Sequence, residues 1–255
     1  MPVLSVATCQ FPVSADIAAN LRYVKRQMTA AARRGARVAH FPEGALSGYA
    51  GADFAGFDGF DWEQLARAIT DVREHARRLG IWAVLGSVWT LDGVRCGALI
   101  CYDFRFPELY REYVKLGVQL VFHSFHAGNV PASLVAEVGD AIGTRFAAVN
   151  PAATFTYPGI TMPAAMTTAA ACNHVWISCP NTSARESMWP AFCVRADGIT
   201  IGKLRRNVPG VLVSAVDTGL GLYDSTGPWR ERAMAGVLHS GTLVRDPRSA
   251  DRTSL

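Results

Sequence analysis

An α/β fold is predicted from three features of the sequence. Strand-like apolar runs alternate with helix-periodic segments over the first half of the chain. Half of the 255 residues are hydrophobic, and no repeat or low-complexity linker divides them. Alternation of this kind implies crossover connections and a largely buried sheet. The length is ample for one large core, so residues 1–255 are taken as a single domain, with an irregular, charged tail or arm from about Ser240.

The elements follow in order. "VLSVATCQF" (3–11) is a buried strand, and "SADIAANLRYVKRQMTAAARRG" then changes to helical spacing, with Leu21, Val24, Met28 and Ala31 on one face and Gly35 ending the helix. "ARVAHFPEG" is a second strand, stopped at Pro42. "FDWEQLARAITDVREHARRLG" is a second helix, with Asp61 as N-cap, Gln64 three residues on, and Leu65, Ile69, Val72 and Leu79 inward. "IWAVLGSVW" (81–89) is expected to be one strand, and 94–101 another. Pro107 opens a short helix that closes at Gly117, and "VQLVFHSF" follows as a strand. The second half is less regular. Helices are predicted in "PASLVAEVGDAIGTRFAAVN" and "TMPAAMTTAAACN". Strands are predicted in "HVWISCPN", "AFCVRADGITIGKL" and "GVLVSAVD", with Asp197-Gly198 as a hairpin turn.

Bulk properties exclude several functions. The net charge is +4, but the arginines are scattered over helix faces and a tail, with no basic run interleaved with aromatics, so nucleic-acid binding is not expected. The six cysteines contain no C-x-x-C pair, and a chain of this size needs no disulfide staples. The N-terminus reads as neither a signal peptide nor a membrane span, so a soluble cytoplasmic protein is expected.

Two strands end in reactive groups: "VAHFPEG" delivers Glu43 and "GALICYDFRFPE" delivers Cys101. Side chains at the carboxyl ends of strands reach the crevice in which an open α/β sheet binds its ligand. A thiolate is a good nucleophile, and a carboxylate beside it can take its proton. The turn after Cys101 leaves backbone N–H groups, such as that of Tyr102, free to hold an oxyanion. Read singly, an unpaired cysteine is usually a small core residue and a glutamate a surface acid.

Together these stretches resemble the nitrilase superfamily of carbon-nitrogen hydrolases. "FPEGALSGY" (41–49) is similar to the region of its catalytic glutamate and "ALICYDFRFPELYR" (98–111) to its nucleophile turn. "VATCQFPV", "LGS" and "RADGITIGKL" fall in family order. The resemblance implies a four-layer α-β-β-α sandwich, associated as a homodimer or higher homo-oligomer. It also implies a cofactor-free attack by Cys101, with Glu43 as base, on a small amide, N-carbamoyl compound or nitrile. A related acyl transfer, in which an amine replaces water, is the same chemistry with a different acceptor.

The chain departs from the family in one respect. The resemblance implies a lysine on a strand between the glutamate and the cysteine, and the interval Gly44–Ile100 contains none; the chain's lysines are Lys25, Lys115 and Lys203. A hairpin, the lysine strand and a loop are missing at a junction near Trp89 and Thr90. Loss of buried strands leaves neighbours with unpaired backbone groups. A working protein longer than these 255 residues is therefore favoured over open sheet edges, and a catalytically inert binding or scaffold protein is the rival reading. Arg105 is the nearest positive residue to Cys101 and is expected to hold the loop or a substrate carboxylate.

"FHSFHAG" places His123 and His126 beside a strand end. A metal site lacks a third ligand at telling spacing, and a Cys-His pair is unnecessary where Glu43 can act as base. Phe106 and His126 are expected to wall a substrate pocket. "DSTGPWRERA" (224–233) lacks the glycines and lysine of a phosphate loop and is expected to be a surface connection.

Overall fold

The computed structural model describes residues 3–56, 58–84, 89–143 and 157–234. Two sheets lie back to back. The first has the order β10-β1-β2-β3, built from β1 (Val3–Gln10), β2 (Val38–His40), β3 (Trp82–Ala83) and β10 (Gly210–Asp217). The second runs β4-β5-β6-β7-β8-β9, from β4 (Trp89–Leu91), β5 (Val94–Ile100), β6 (Leu120–Ser124), β7 (Trp176–Cys179), β8 (Phe192–Val194) and β9 (Thr200–Lys203). In each sheet the strands joined through helices are parallel: β1-β2-β3 in the first and β5-β6-β7 in the second. The crossover connections predict this arrangement.

Strand alternation sorts side chains into layers. Leu4 and Val6 of β1 point between the sheets, into a cluster with Val38, Val94, Leu120, Phe122, Trp176 and Val216. Ala7 and Cys9, one register off, face the helices α1 (Ile17–Arg33) and α2 (Trp62–Leu79) and pack with Val24, Met28 and Val72. On the far side, Val121, Ile177 and Val194 pack against Tyr110 of α3 (Pro107–Lys115) and Met162, Met166 and Ala170 of α5 (Tyr157–Asn173). The helix α4 (Ala132–Ile142) intervenes in the chain between β6 and α5. Three apolar layers between four structural ones make the α-β-β-α sandwich.

The helix ends are set locally. The Asp16 side chain accepts a hydrogen bond from the Ala19 N–H at 2.9 Å, and Asp61 from Gln64 at 2.7 Å, each satisfying an orphan donor of a first turn. At the far end of α1, Gly35 takes φ 75° and the Ala36 N–H returns to the Ala31 carbonyl at 3.0 Å.

Three expectations are corrected. The run 81–89 is not one strand: Trp82–Ala83 closes the first sheet and Trp89–Leu91 opens the second, so the chain changes sheets between them. An apolar run carries no mark of which sheet its halves will join. The segment 224–233 is a helix in large part, α6 (Gly227–Met234), tied back by Thr226 Oγ1 to the Cys172 carbonyl at 3.0 Å and by Arg230 to Asp224. On α2, Val72 is buried and Leu65 and Leu79 are half-buried, but Ile69 is 41% exposed, because this face overhangs a cavity rather than a packed sheet. The "LGS" motif falls largely on residues 85–88, and the tail from Ser240 and the end of the first helix predicted in the second half also lie outside the described residues.

Candidate active site

Glu43 and Cys101 come from different sheets, and the backbone brings them together. Beyond β2 the chain passes Phe41 and Pro42, and the Glu43 N–H then donates to the carbonyl of Phe125, just past β6, at 3.2 Å. Gly44, at φ 64°, turns the chain immediately afterwards; a Cβ there would lie 2.7 Å from the Gly48 carbonyl oxygen. Cys101 ends β5 and begins the 3-10 turn Cys101–Arg105. Its φ is 40°, in the left-handed region that non-glycine residues rarely adopt, and such strain concentrates at functional sites. The Ile100 N–H donates to Asp103 Oδ2 at 2.8 Å and fixes the turn from one side.

His123 fixes it from the other. Its Nε2 donates to the Cys101 carbonyl at 3.1 Å, and its Nδ1 accepts from the Tyr110 hydroxyl at 2.6 Å. Burial holds the ring neutral, its pKa lowered to about 3, which suits one donor and one acceptor nitrogen. His123 is thus an anchor for the turn. His40 lies between the sheets in a similar manner, with Nδ1 2.9 Å from Ser178 Oγ and Nε2 2.9 Å from Ser124 Oγ.

The Cys101 thiol faces the Glu43 carboxylate within hydrogen-bonding reach, and the backbone N–H groups of His126 and Tyr102 also point to its sulfur. Burial, reinforced by the Glu43 charge, pushes the thiol up to about 12. At rest Cys101 is therefore a thiol, and it needs a base at the moment of attack. Burial also raises the Glu43 carboxyl, against the opposing effects of the Cys101 hydrogen bond and of His126.

His126, expected to wall the pocket, is instead packed against Tyr49 and Asp53. Its Nε2 is 3.4 Å from Asp53 Oδ2, both side chains being essentially inaccessible, and the Tyr49 ring stacks on it at 5.2 Å between centroids, 8° from parallel. Asp53 is held in turn by the Tyr49 N–H at 2.8 Å and by the Asn129 amide. Burial alone would raise the Asp53 carboxyl, but contact with His126 and these donors outweighs it and holds the group below the usual carboxylate range. Sequence reading missed Tyr49, Asp53 and Asn129; the one available signal was an acid in a glycine-rich stretch without periodicity, ten residues after Glu43.

A cavity of ≈310 Å³ opens at the carboxyl ends of β2, β3, β5 and β6, beneath α2. Its walls are mainly apolar, including Phe41, Leu65, Ile69, Val72 and Leu99, with Glu43 and Ser124 contributing polar groups. Of the expected site residues only Glu43 is in this lining; Cys101, Tyr102, Arg105, Phe106 and His126 are not, Cys101 following directly on the lining residue Ile100. Arg105 is exposed with its guanidinium 4.7 Å over the Phe104 ring, and Phe106 is 49% exposed beside Tyr102. Among the described residues no lysine or arginine lines the cavity. Lys25 pairs with Asp71 and Lys115 with Glu112, and Lys203 ends β9. Among the described residues, no group of three or more His, Cys, Asp or Glu side chains is placed to hold a metal, and no helix is long and apolar enough to cross a membrane.

Comparison with known proteins accords with this geometry. Residues 5–90 match the carbon-nitrogen hydrolase family. Two curated relatives, Hydrolase MT0498 and Hydrolase Rv0480c of Mycobacterium tuberculosis strains, are each 45% identical over 47 residues, which span 18% of this chain and 17% of theirs. The fold is similar to that of an amidase from Nesterenkonia sp. AN1, solved as a double mutant in complex with acrylamide, with a TM-score of 0.63 at 20% identity over 84% of this chain and 90% of that one. Another structure of that amidase, showing Michael addition of acrylamide at its active site cysteine, gives a TM-score of 0.61 at 21% identity, covering 84% and 92%. The sandwich with its paired strand ends is the nitrilase-superfamily architecture. Residues 5–90, the first third of the chain, thus resemble the carbon-nitrogen hydrolase family, and the fold as a whole is similar to that of a nitrilase-superfamily amidase.

Proposed function

We propose that the protein hydrolyses the carbon-nitrogen bond of a small amide or N-carbamoyl compound through an acyl-enzyme on Cys101. The observation that carries this reading is the half-buried thiol of Cys101 facing the Glu43 carboxylate where two strands end. As Sγ attacks the carbonyl carbon, the S–H proton passes to Glu43 and the C=O electron pair moves onto oxygen, where backbone N–H groups such as that of Tyr102 stabilise it. Collapse breaks the C–N bond, and Glu43 returns the proton to the leaving nitrogen, releasing ammonia or an amine. Water then attacks the thioester with Glu43 again as base, the C–S bond breaks, and the acid leaves. The cavity volume is within the range of small-ligand sites, and its apolar walls suit an aliphatic acyl group. In this proposal Arg105 and Phe106 meet only substrate groups that project past the cavity to the surface.

The rival, an inert binding protein, is favoured by the lack of a lysine between Glu43 and Cys101. One assay separates the two: ammonia release from a panel of short aliphatic amides and N-carbamoyl amines, with intact mass measured during turnover. Release is expected, with a transient acyl adduct, and Cys101→Ala should abolish both, a loss on the order of a thousand-fold or more. With hydroxylamine added, hydroxamate would reveal acyl transfer to an amine. Neither ammonia nor an adduct from any substrate would leave the binding reading in place of ours.

A further inference from the structure

Four polar side chains form one hydrogen-bonded chain across the two sheets. Thr8 Oγ1 of β1 lies 2.7 Å from Ser178 Oγ of β7, Ser178 Oγ is 2.9 Å from His40 Nδ1, and His40 Nε2 is 2.9 Å from Ser124 Oγ at the end of β6. Thr8, Ser178 and His40 are fully buried, whereas Ser124 is half-buried and lines the cavity. A satisfied buried network holds its members in one arrangement, so this one offers the Ser124 hydroxyl to the cavity at a fixed place. Ser47, also in the lining, gives its hydroxyl to the Gly48 carbonyl at 2.8 Å. Ser124 stands beside the reacting groups. It is the register partner of Ile100, the residue before Cys101, on strands about 4.8 Å apart. The carbonyl of the next residue, Phe125, accepts from the Glu43 N–H.

We propose that Ser124 sets the acyl specificity of the site by hydrogen-bonding a hydroxyl on carbon 2 or 3 of the acyl chain, so that the substrate is a short hydroxy amide rather than the amide of a plain hydrocarbon acid. The inference rests on the reading of Glu43 as base and Cys101 as nucleophile. In that reading both ends of the reacting amide already have partners: the nitrogen meets Glu43, and the carbonyl oxygen meets backbone N–H groups of the nucleophile turn. The Ser124 hydroxyl is left for a further polar atom, and its place one strand away from the nucleophile puts that atom near the start of the acyl chain. The side chains of Phe41, Ala98 and Leu99 in the same lining are apolar and suit the carbons around it. A ligand hydroxyl fits His40 in either neutral form. Burial keeps the ring neutral, with one donor and one acceptor nitrogen. If Nε2 donates to Ser124, the serine O–H is free for the ligand; if Nε2 accepts, the serine oxygen is free to accept. A hydroxyl answers both, whereas a hydrocarbon would strip water from Ser124 without replacing its hydrogen bond.

The test is ligand titration followed by NMR on the full-length Cys101→Ala protein, in which no acyl-enzyme can form, with butyramide, 2-hydroxybutyramide and 3-hydroxybutyramide as probes. At least one hydroxylated amide is expected to bind about threefold to tenfold more tightly than butyramide, the worth of one neutral hydrogen bond. Adding Ser124→Ala should remove that preference while leaving butyramide affinity within about twofold, and Ser124→Thr, which keeps the hydroxyl, should retain it. Should Ser124→Ala fail to fold by circular dichroism, Ser124→Cys, a weak hydrogen-bonding group of similar shape, takes its place. Equal affinity for the three amides, no binding of any, or equal weakening of all three by Ser124→Ala overturns the inference, the last by showing that Ser124 holds the amide itself or only the fold. Ammonia release by the native protein tests the reading beneath it. Release from butyramide without hydroxyl preference in binding would remove the specificity alone. Hydroxyl-selective binding without release from any of the three would remove the hydrolase reading and leave the Ser124 subsite standing.

Discussion

Cys101 combines an uncommon backbone angle, φ 40°, with a thiol that burial keeps protonated, so its reactivity depends on the carboxylate beside it. That carboxylate costs the fold stability. The Glu43 pKa is raised in the folded protein, burial outweighing the attraction of His126, so the native state prefers the protonated form. Stability therefore falls as the pH rises from the unfolded value through the folded one. Glu43→Gln removes the charge but can still accept the thiol's hydrogen bond. It is expected to raise Tm by about 2 °C at pH 7 and by less at pH 4 while abolishing turnover, a trade common at active sites. Differential scanning calorimetry at the two pH values checks this, and a lower Tm at pH 7 would show that the ionised carboxylate is a net stabiliser. At this scale Glu43 and Cys101 were legible in the sequence, because each ends an apolar run in a distinctive motif. Asp53 and Tyr49 were not, since a stacking ring and an ion pair between residues 53 and 126 leave no periodic trace.

At the scale of elements, β2 and β6 each carry a histidine into a place without solvent, and both rings are held neutral by burial. Their folded pKa values lie below those of the unfolded chain, so below about pH 6.5 the unfolded state binds protons that the folded state refuses. The stability associated with these neutral rings is fully present above that pH and is lost as the pH falls toward the folded values. Between pH 7 and pH 5 each ring is expected to remove on the order of 2 kcal/mol. Urea unfolding at the two pH values reads the effect, and equal midpoints would show the rings to be charged or hydrated in the folded protein. Element placement was legible where caps and periodicity agree, as in α1 and in α2 with its Asp61 cap. It failed at β3 and β4, where one apolar run serves two sheets, and at α6, whose eight residues carry hardly any amphipathic pattern.

For the whole molecule, the two sheets are unequal. Among the described residues four strands face six, and the short edge strand β3 borders the cavity under α2. The resemblance puts the lysine strand near Trp89 and Thr90, and on this side of the molecule Trp62 at the start of α2 is 58% exposed and Trp82 of β3 55% exposed. Large apolar side chains left in water at this density mark surfaces that associate. We propose that this side is a homodimer interface, checked by size-exclusion chromatography with light scattering; a monomer at micromolar concentration would overturn it.

The sequence by itself determined the α/β class, the two principal helices and their ends, and the two strand termini that bear a carboxylate and a thiol. These are local properties: spacing, caps and breakers act within a few residues, and a motif is a contiguous string. Tertiary structure alone decided that the carboxylate and thiol meet, through the bond from the Glu43 N–H to the Phe125 carbonyl across two sheets. It alone placed the buried Asp53–His126 pair beside them and His123 beneath the nucleophile turn. Such contacts join residues far apart in the chain, and their strength comes from a low-dielectric interior that exists only once both sheets have packed.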